Sequence, residues 1–193
     1  MRAGTILKEY RNAGRNQRKN KDATASDNVN AELNFLTIDD LIVRMAWRDG
    51  IKDITEDKYR KKYKRQYGEK VFKGKVVLVR CGIDAPVNKK GRITGTERIR
   101  LAIPTLQELS GYGARVVVVA HQGRAGKSNF IEFDQHAAII KKLIDKNTHP
   151  PRTVKYLGNL TESKVITNKI KGLKNGEILL LNNIRFLLSL IHI

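Results

Sequence analysis

The chain has 193 residues, 40% of them hydrophobic and 30% charged, which suits one packed domain or one domain with an appendage. It carries 38 Lys and Arg against 19 Asp and Glu, a formal charge of +19; such a field draws phosphorylated metabolites, nucleic acid and acidic membranes alike and specifies no fold. A single cysteine, Cys81, excludes an intrachain disulfide, and no run approaches the roughly 20 apolar residues of a membrane-spanning helix.

Residues 1–34 are rich in Arg, Asn, Lys and Gly, with few large apolar residues after Leu7, and are expected to be a disordered basic extension. The segment is polar from Lys8 onward and lacks an apolar signal core, so the expected location is cytoplasmic, with no membrane partner. Residues 35–74 predict a basic helical segment. Thr37 with Asp40 forms a capping box ahead of Leu41, Ile42, Met45 and Ala46, and the helix breaks near Gly50. Thr55 is placed to cap a second helix in which Tyr59, Tyr63 and Tyr67 share one face, amid Arg60, Lys61, Lys62, Lys64 and Arg65.

From Lys75 the pattern alternates between strand and helix. Val76–Cys81 is a β-branched apolar run that holds the lone thiol, expected to be buried and inert, and the strand is expected to be covered on both faces. Thr94 and Glu97 suggest another capping box, followed by Ile99, Ala102, Ile103, Leu106 and Leu109 on one helical face up to Gly111 and Gly113. Pro104 breaks that pattern and predicts a kink or a later start. Val116–Ala120 is a second strand, Phe133–Ile144 a helix and Val154–Leu157 a third strand. Asn159 with Glu162 predicts a cap for a helix reaching Leu173, and Ile178–Leu181 is a fourth strand after a turn at Asn175-Gly176. The order β-α-β-α-β-α-β predicts an α/β fold, a Rossmann-like parallel sheet between helical layers.

Ligands of open parallel sheets bind beyond the carboxyl ends of the strands. There the chain places Gly82-Ile83-Asp84-Ala85-Pro86, then His121-Gln122-Gly123-Arg124, then Asn182-Asn183-Ile184-Arg185, with Arg98 and Arg100 opening the first crossover helix. Arginine forks match phosphate and carboxylate oxygens, so Arg98, His121, Arg124 and Arg185 predict a pocket for a small polyanion. Each alone has a plainer role, as a structural histidine or a solvated charge. His121 to Ser128 nearly spells a phosphate-binding P-loop. Yet His121 stands where the first glycine belongs, Asn129-Phe130-Ile131 delays the helix, and Asn182 replaces the magnesium-binding aspartate, so that reading fails.

Five blocks carry a resemblance: Lys73 to Arg80; Asp84-Ala85-Pro86 with Thr96 to Arg100 and Pro104-Thr105; Gly113 to Val117; Ala120 to Arg124; and Gly176 to Leu181 with Asn183 to Phe186. In this order and spacing they resemble the opening of phosphoglycerate kinases, and Gln122 is the form found in archaeal members. Phe35 to Leu41 also resembles the family's first residues, which makes some 30 residues, the tyrosine helix included, an insertion. The resemblance implies reversible phosphoryl transfer between 1,3-bisphosphoglycerate and ADP, giving 3-phosphoglycerate and ATP. It implies that Arg98 is catalytic, contacting the carboxyl end of 3-phosphoglycerate and stabilising the transferring phosphoryl group. Asp84, His121, Arg124 and Arg185 would complete the substrate site. Departures from the family are Gly82 and Asp84, where it has aspartate and asparagine, Ala125 for proline, and Asn182 for glutamate.

The resemblance makes residues 75–186 part of the family's N-terminal domain, and 187–193 an apolar tail foreign to it. The family's C-terminal nucleotide-binding domain, with Mg2+ and ADP or ATP, is then a missing partner, so no cofactor is expected on this chain alone and no turnover. The alternative is a non-enzymatic basic module that binds anions, or nucleic acid through residues 1–74, with tyrosines stacking on bases.

Overall fold

A computed structural model describes residues 37–51, 57–147 and 152–187. The readings that concern residues 1–34, Phe35-Leu36, Thr55 and the tail from Leu188 lie outside these.

Four strands, β1 (Val76–Arg80), β2 (Arg115–Val119), β3 (Val154–Leu157) and β4 (Ile178–Leu181), form one fully parallel sheet in the order β1-β2-β4-β3. The crossovers are α3 (Glu97–Gly111), α4 (Asp134–Asn147) and α5 (Ser163–Lys171), preceded by α1 (Ile38–Arg48) and α2 (Asp57–Phe72). The chain steps from β1 to β2, skips a place to β3, then reverses into the gap as β4. Right-handed crossovers therefore put α3 and α4 on one face and α5 on the other. The core divides accordingly. Val116, Val118, Ile178 and Leu180 pack with Ile99, Ile103, Leu106, Ile140 and Ile144. Val117, Leu179 and Leu181 point the other way, onto Leu173 and the α5 residues Val165, Ile166 and Ile170. The three-layer α/β expectation is met.

Local chemistry explains most boundaries. Thr37 and Asp40 close a reciprocal capping box on α1, and Gly50, at φ 86°, ends the turn that follows it. Helix α2 is docked on the domain. Lys64 bridges Asp39 and Glu108 at 2.9 and 2.8 Å, Tyr67 is buried, and Phe72 stacks on Tyr112. Gly68 lies so close to that ring that a Cβ there would come within 2.4 Å of it.

Four expectations are corrected. Strand β1 is covered on one face only: Val77 and Val79 join the core, whereas Val76 and Leu78 are 45% and 67% exposed, because β1 is an edge strand and α5 stands over β3 and β4. Helix α3 has Thr96 rather than Thr94 at its N-cap, and the Thr94 hydroxyl donates to Pro86 O instead. The later start that Pro104 suggested is not seen: α3 begins at Glu97 and runs through the proline, which is exposed, so the carbonyl left without a helical donor is on the solvent side. Asn159 caps a local turn, accepting from the Thr161 N–H and hydroxyl, while Glu162 takes the N-cap of α5 without a side-chain bond.

Candidate anion-binding site

The loop after β1 carries Asp84. Its neighbour Ala85 is held at both backbone groups by Gln122: Ala85 N–H donates to Gln122 Oε1 (2.8 Å), and Gln122 Nε2 donates to Ala85 O (3.0 Å). After β2, Gln122 is gripped in turn by Asn183, which accepts from its N–H (3.1 Å) and donates to its carbonyl (2.7 Å) and to Ile131 O (3.1 Å). Asn182 accepts from Phe133 N–H and donates to Gly158 O, both at 3.0 Å. Three buried amide side chains thus tie together the segments that leave all four strands. Amides suit this role because each offers donors and an acceptor in one plane without a charge to desolvate.

His136, on the buried side of α4, completes the network. Its Nε2 lies 3.0 Å from Gln122 Oε1, an acceptor, so Nε2 carries the proton. Burial pushes its pKa down to about 4, and the ring is neutral at pH 7. Cys81 is half-buried rather than buried as expected, and its partial burial raises the pKa of the thiol, in keeping with an inert group.

On this frame the charged side chains surround an open cleft of about 600 Å³, lined by Asp84, Arg98, His121, Arg124, Lys127 and Arg185 among others. Arg98, in the first turn of α3, pairs with Asp84. Arg185 donates from Nη1 to Gly123 O, bracing the β4 exit against the β2 exit. Gly123 has φ 66°, and a Cβ there would come within 2.5 Å of Asn129 O. Only glycine allows the loop to fold back so tightly. That loop runs on to α4 at Asp134 without a helix at Lys127-Ser128, unlike a P-loop. Arg100 bonds Thr96 and is outside the cleft lining.

All five residues singled out from the sequence, Asp84, Arg98, His121, Arg124 and Arg185, therefore line one cleft. Residues 68–189 match the family model described as phosphoglycerate kinase. The chain belongs to the phosphoglycerate kinase family. It is 44% identical over 114 residues to the phosphoglycerate kinase of Methanothermobacter thermautotrophicus, covering 58% of this chain and 26% of that protein. To the phosphoglycerate kinase of Thermococcus kodakarensis it is 36% identical over 115 residues, covering 60% and 26%. The crystal structure of the phosphoglycerate kinase from Pyrococcus horikoshii OT3 superposes with a TM-score of 0.53 at 30% identity, over 60% of this chain and 26% of that one. The chain spans about a quarter of the length of the phosphoglycerate kinases it matches.

Within this family frame, sequence reasoning missed Lys127 in the cleft lining and the amide network beneath it. Two signals were present. A pair of amides, Asn182-Asn183, follows an unbroken apolar strand, and His136 interrupts the apolar face formed by Phe133, Ile140 and Ile144. Among the described residues no group of three His, Cys, Asp or Glu is placed to hold a metal ion, and no helix is long and apolar enough to cross a membrane.

Proposed function

We propose that the cleft holds the phosphoglycerate side of the phosphoglycerate kinase reaction, reversible phosphoryl transfer between 1,3-bisphosphoglycerate and ADP that yields 3-phosphoglycerate and ATP. The observation that carries this is the convergence of Arg98, His121, Arg124 and Arg185, from three strand exits, on one open cleft in a chain of this family. Phosphoryl transfer asks the protein mainly to position its reactants and neutralise oxygen charge, which guanidinium groups on rigid strand exits do well. In this reading Arg98 meets the carboxyl end of 3-phosphoglycerate and the transferring phosphoryl group, while His121, Arg124 and Arg185 hold the remaining oxygens. Asp84 completes the wall beside Arg98. Residues 75–186 act as part of an N-terminal, substrate-binding domain, and the nucleotide with its magnesium belongs to a second domain outside the matched quarter. These residues alone then bind substrate without turning it over.

The nucleic-acid alternative loses ground from the docking of α2, whose Tyr67 and Lys64 are engaged within the protein. Isothermal titration of the chain with 3-phosphoglycerate tests the proposal. Binding is expected, and Arg98→Ala should weaken it by roughly ten- to a hundredfold, the value of a charge-assisted hydrogen bond. No heat from the wild-type chain, or binding indifferent to Arg98→Ala, refutes it.

A further inference from the structure

The cations of the cleft are not equally available. Arg124 and Lys127 make no ion pair among the described residues, and Arg185 leans on a backbone carbonyl, but Arg98 is engaged by a carboxylate of the protein itself. The backbone that carries this carboxylate is held in place. Ile83, just before Asp84, is fully buried, and Ala85, just after it, is clamped at both backbone groups by Gln122. The pair is open to solvent, with Asp84 38% and Arg98 63% exposed, so it faces the space an anion would enter.

We propose that Asp84 is an internal competitor for Arg98, a residue that occupies the guanidinium when the cleft is empty and opposes any anion that arrives. This rests on the anion-binding reading above and adds to it a built-in attenuation of affinity. An anion gains Arg98 only by displacing the carboxylate or by sharing the fork with it, and in either case Asp84 stays close to the incoming charge. A carboxylate roughly 6 Å from a doubly charged anion, in a water-like dielectric, weakens binding by about tenfold, and physiological salt trims this to several-fold. The competing role, in which Asp84 simply holds Arg98 in place, has the opposite sign, because removing the charge then brings no gain. An exposed pair of this kind contributes little to folding, so the two effects are separable from stability.

Asp84→Asn keeps an acceptor oxygen for Arg98 and removes the charge. Sulfate and 3-phosphoglycerate are titrated separately into the wild-type and Asp84→Asn chains, with NMR shifts reporting binding at two salt concentrations and thermal melts checking the fold. Expected is sulfate binding several-fold tighter in Asp84→Asn, an advantage that shrinks at high salt, and an unchanged melting temperature. Equal or weaker sulfate binding overturns the proposal. Tighter sulfate with no 3-phosphoglycerate binding in either chain upholds the competition and refutes the substrate reading. If neither chain binds sulfate or 3-phosphoglycerate, both are overturned.

Discussion

Replacing Gln122 with leucine probes the frame beneath the cleft. The substitution nearly preserves volume, yet it strips the partner from three groups: Ala85 N–H, Ala85 O and the Nε2–H of His136. A buried polar group left unsatisfied costs about 1–3 kcal/mol. The Ala85 loop can turn toward solvent and recover part of its share, whereas His136 is fully buried and cannot. The expected loss is about 3 kcal/mol, a large part of the ~5–15 kcal/mol that holds an ordinary domain together. Urea unfolding followed by far-UV circular dichroism measures it. The double variant Gln122→Leu with His136→Phe should recover part of the loss, because it removes the orphaned imidazole donor along with its acceptor. A loss below about 1 kcal/mol, or a double variant no better than the single one, would refute this account of the amide network.

Two further predictions follow from burial. The His136 pKa is depressed in the folded state, to about 4 from an ordinary 6.5, so the unfolded chain binds the extra proton first as pH falls. Its contribution is complete above pH 6.5 and is lost as pH drops toward 4, about 2 kcal/mol of it by pH 5 and about 3 kcal/mol in full, and urea midpoints at pH 7, 6 and 5 should fall more steeply for wild type than for His136→Phe. On the sheet, Leu180→Ala should cost about 2–5 kcal/mol, whereas Leu78→Ala, on the open face of β1, should stay within about 0.5 kcal/mol; equal losses would contradict the one-sided cover of β1.

Much of the architecture was legible because it depends on local pattern. Runs such as Val154–Leu157 and Ile178–Leu181 mark strands by composition, the Ile99 to Leu109 spacing marks a helix by its period, and the capping box at Thr37 and Asp40 needs only three residues of separation. The strand-exit rule then nominated the cleft-lining residues, because a parallel sheet brings all its carboxyl ends to one edge whatever the strand order.

Strand order itself was a tertiary decision. Both β3 and β4 are four residues long, but β4 is apolar and buried throughout while β3 carries Lys155 and Tyr156, so burying the more apolar strand at the centre sends β4 between β2 and β3. The bare face of β1 and the docking of α2 follow from which elements meet, and no window of sequence contains that information. Gln122 meets Ala85 across 37 residues and Asn183 across 61, and Asp84 reaches Arg98 across 14. The sequence by itself determined which residues reach the edge of the sheet. Only the folded chain decided which of them are occupied, since a side chain's hydrogen bonds depend on neighbours that folding supplies.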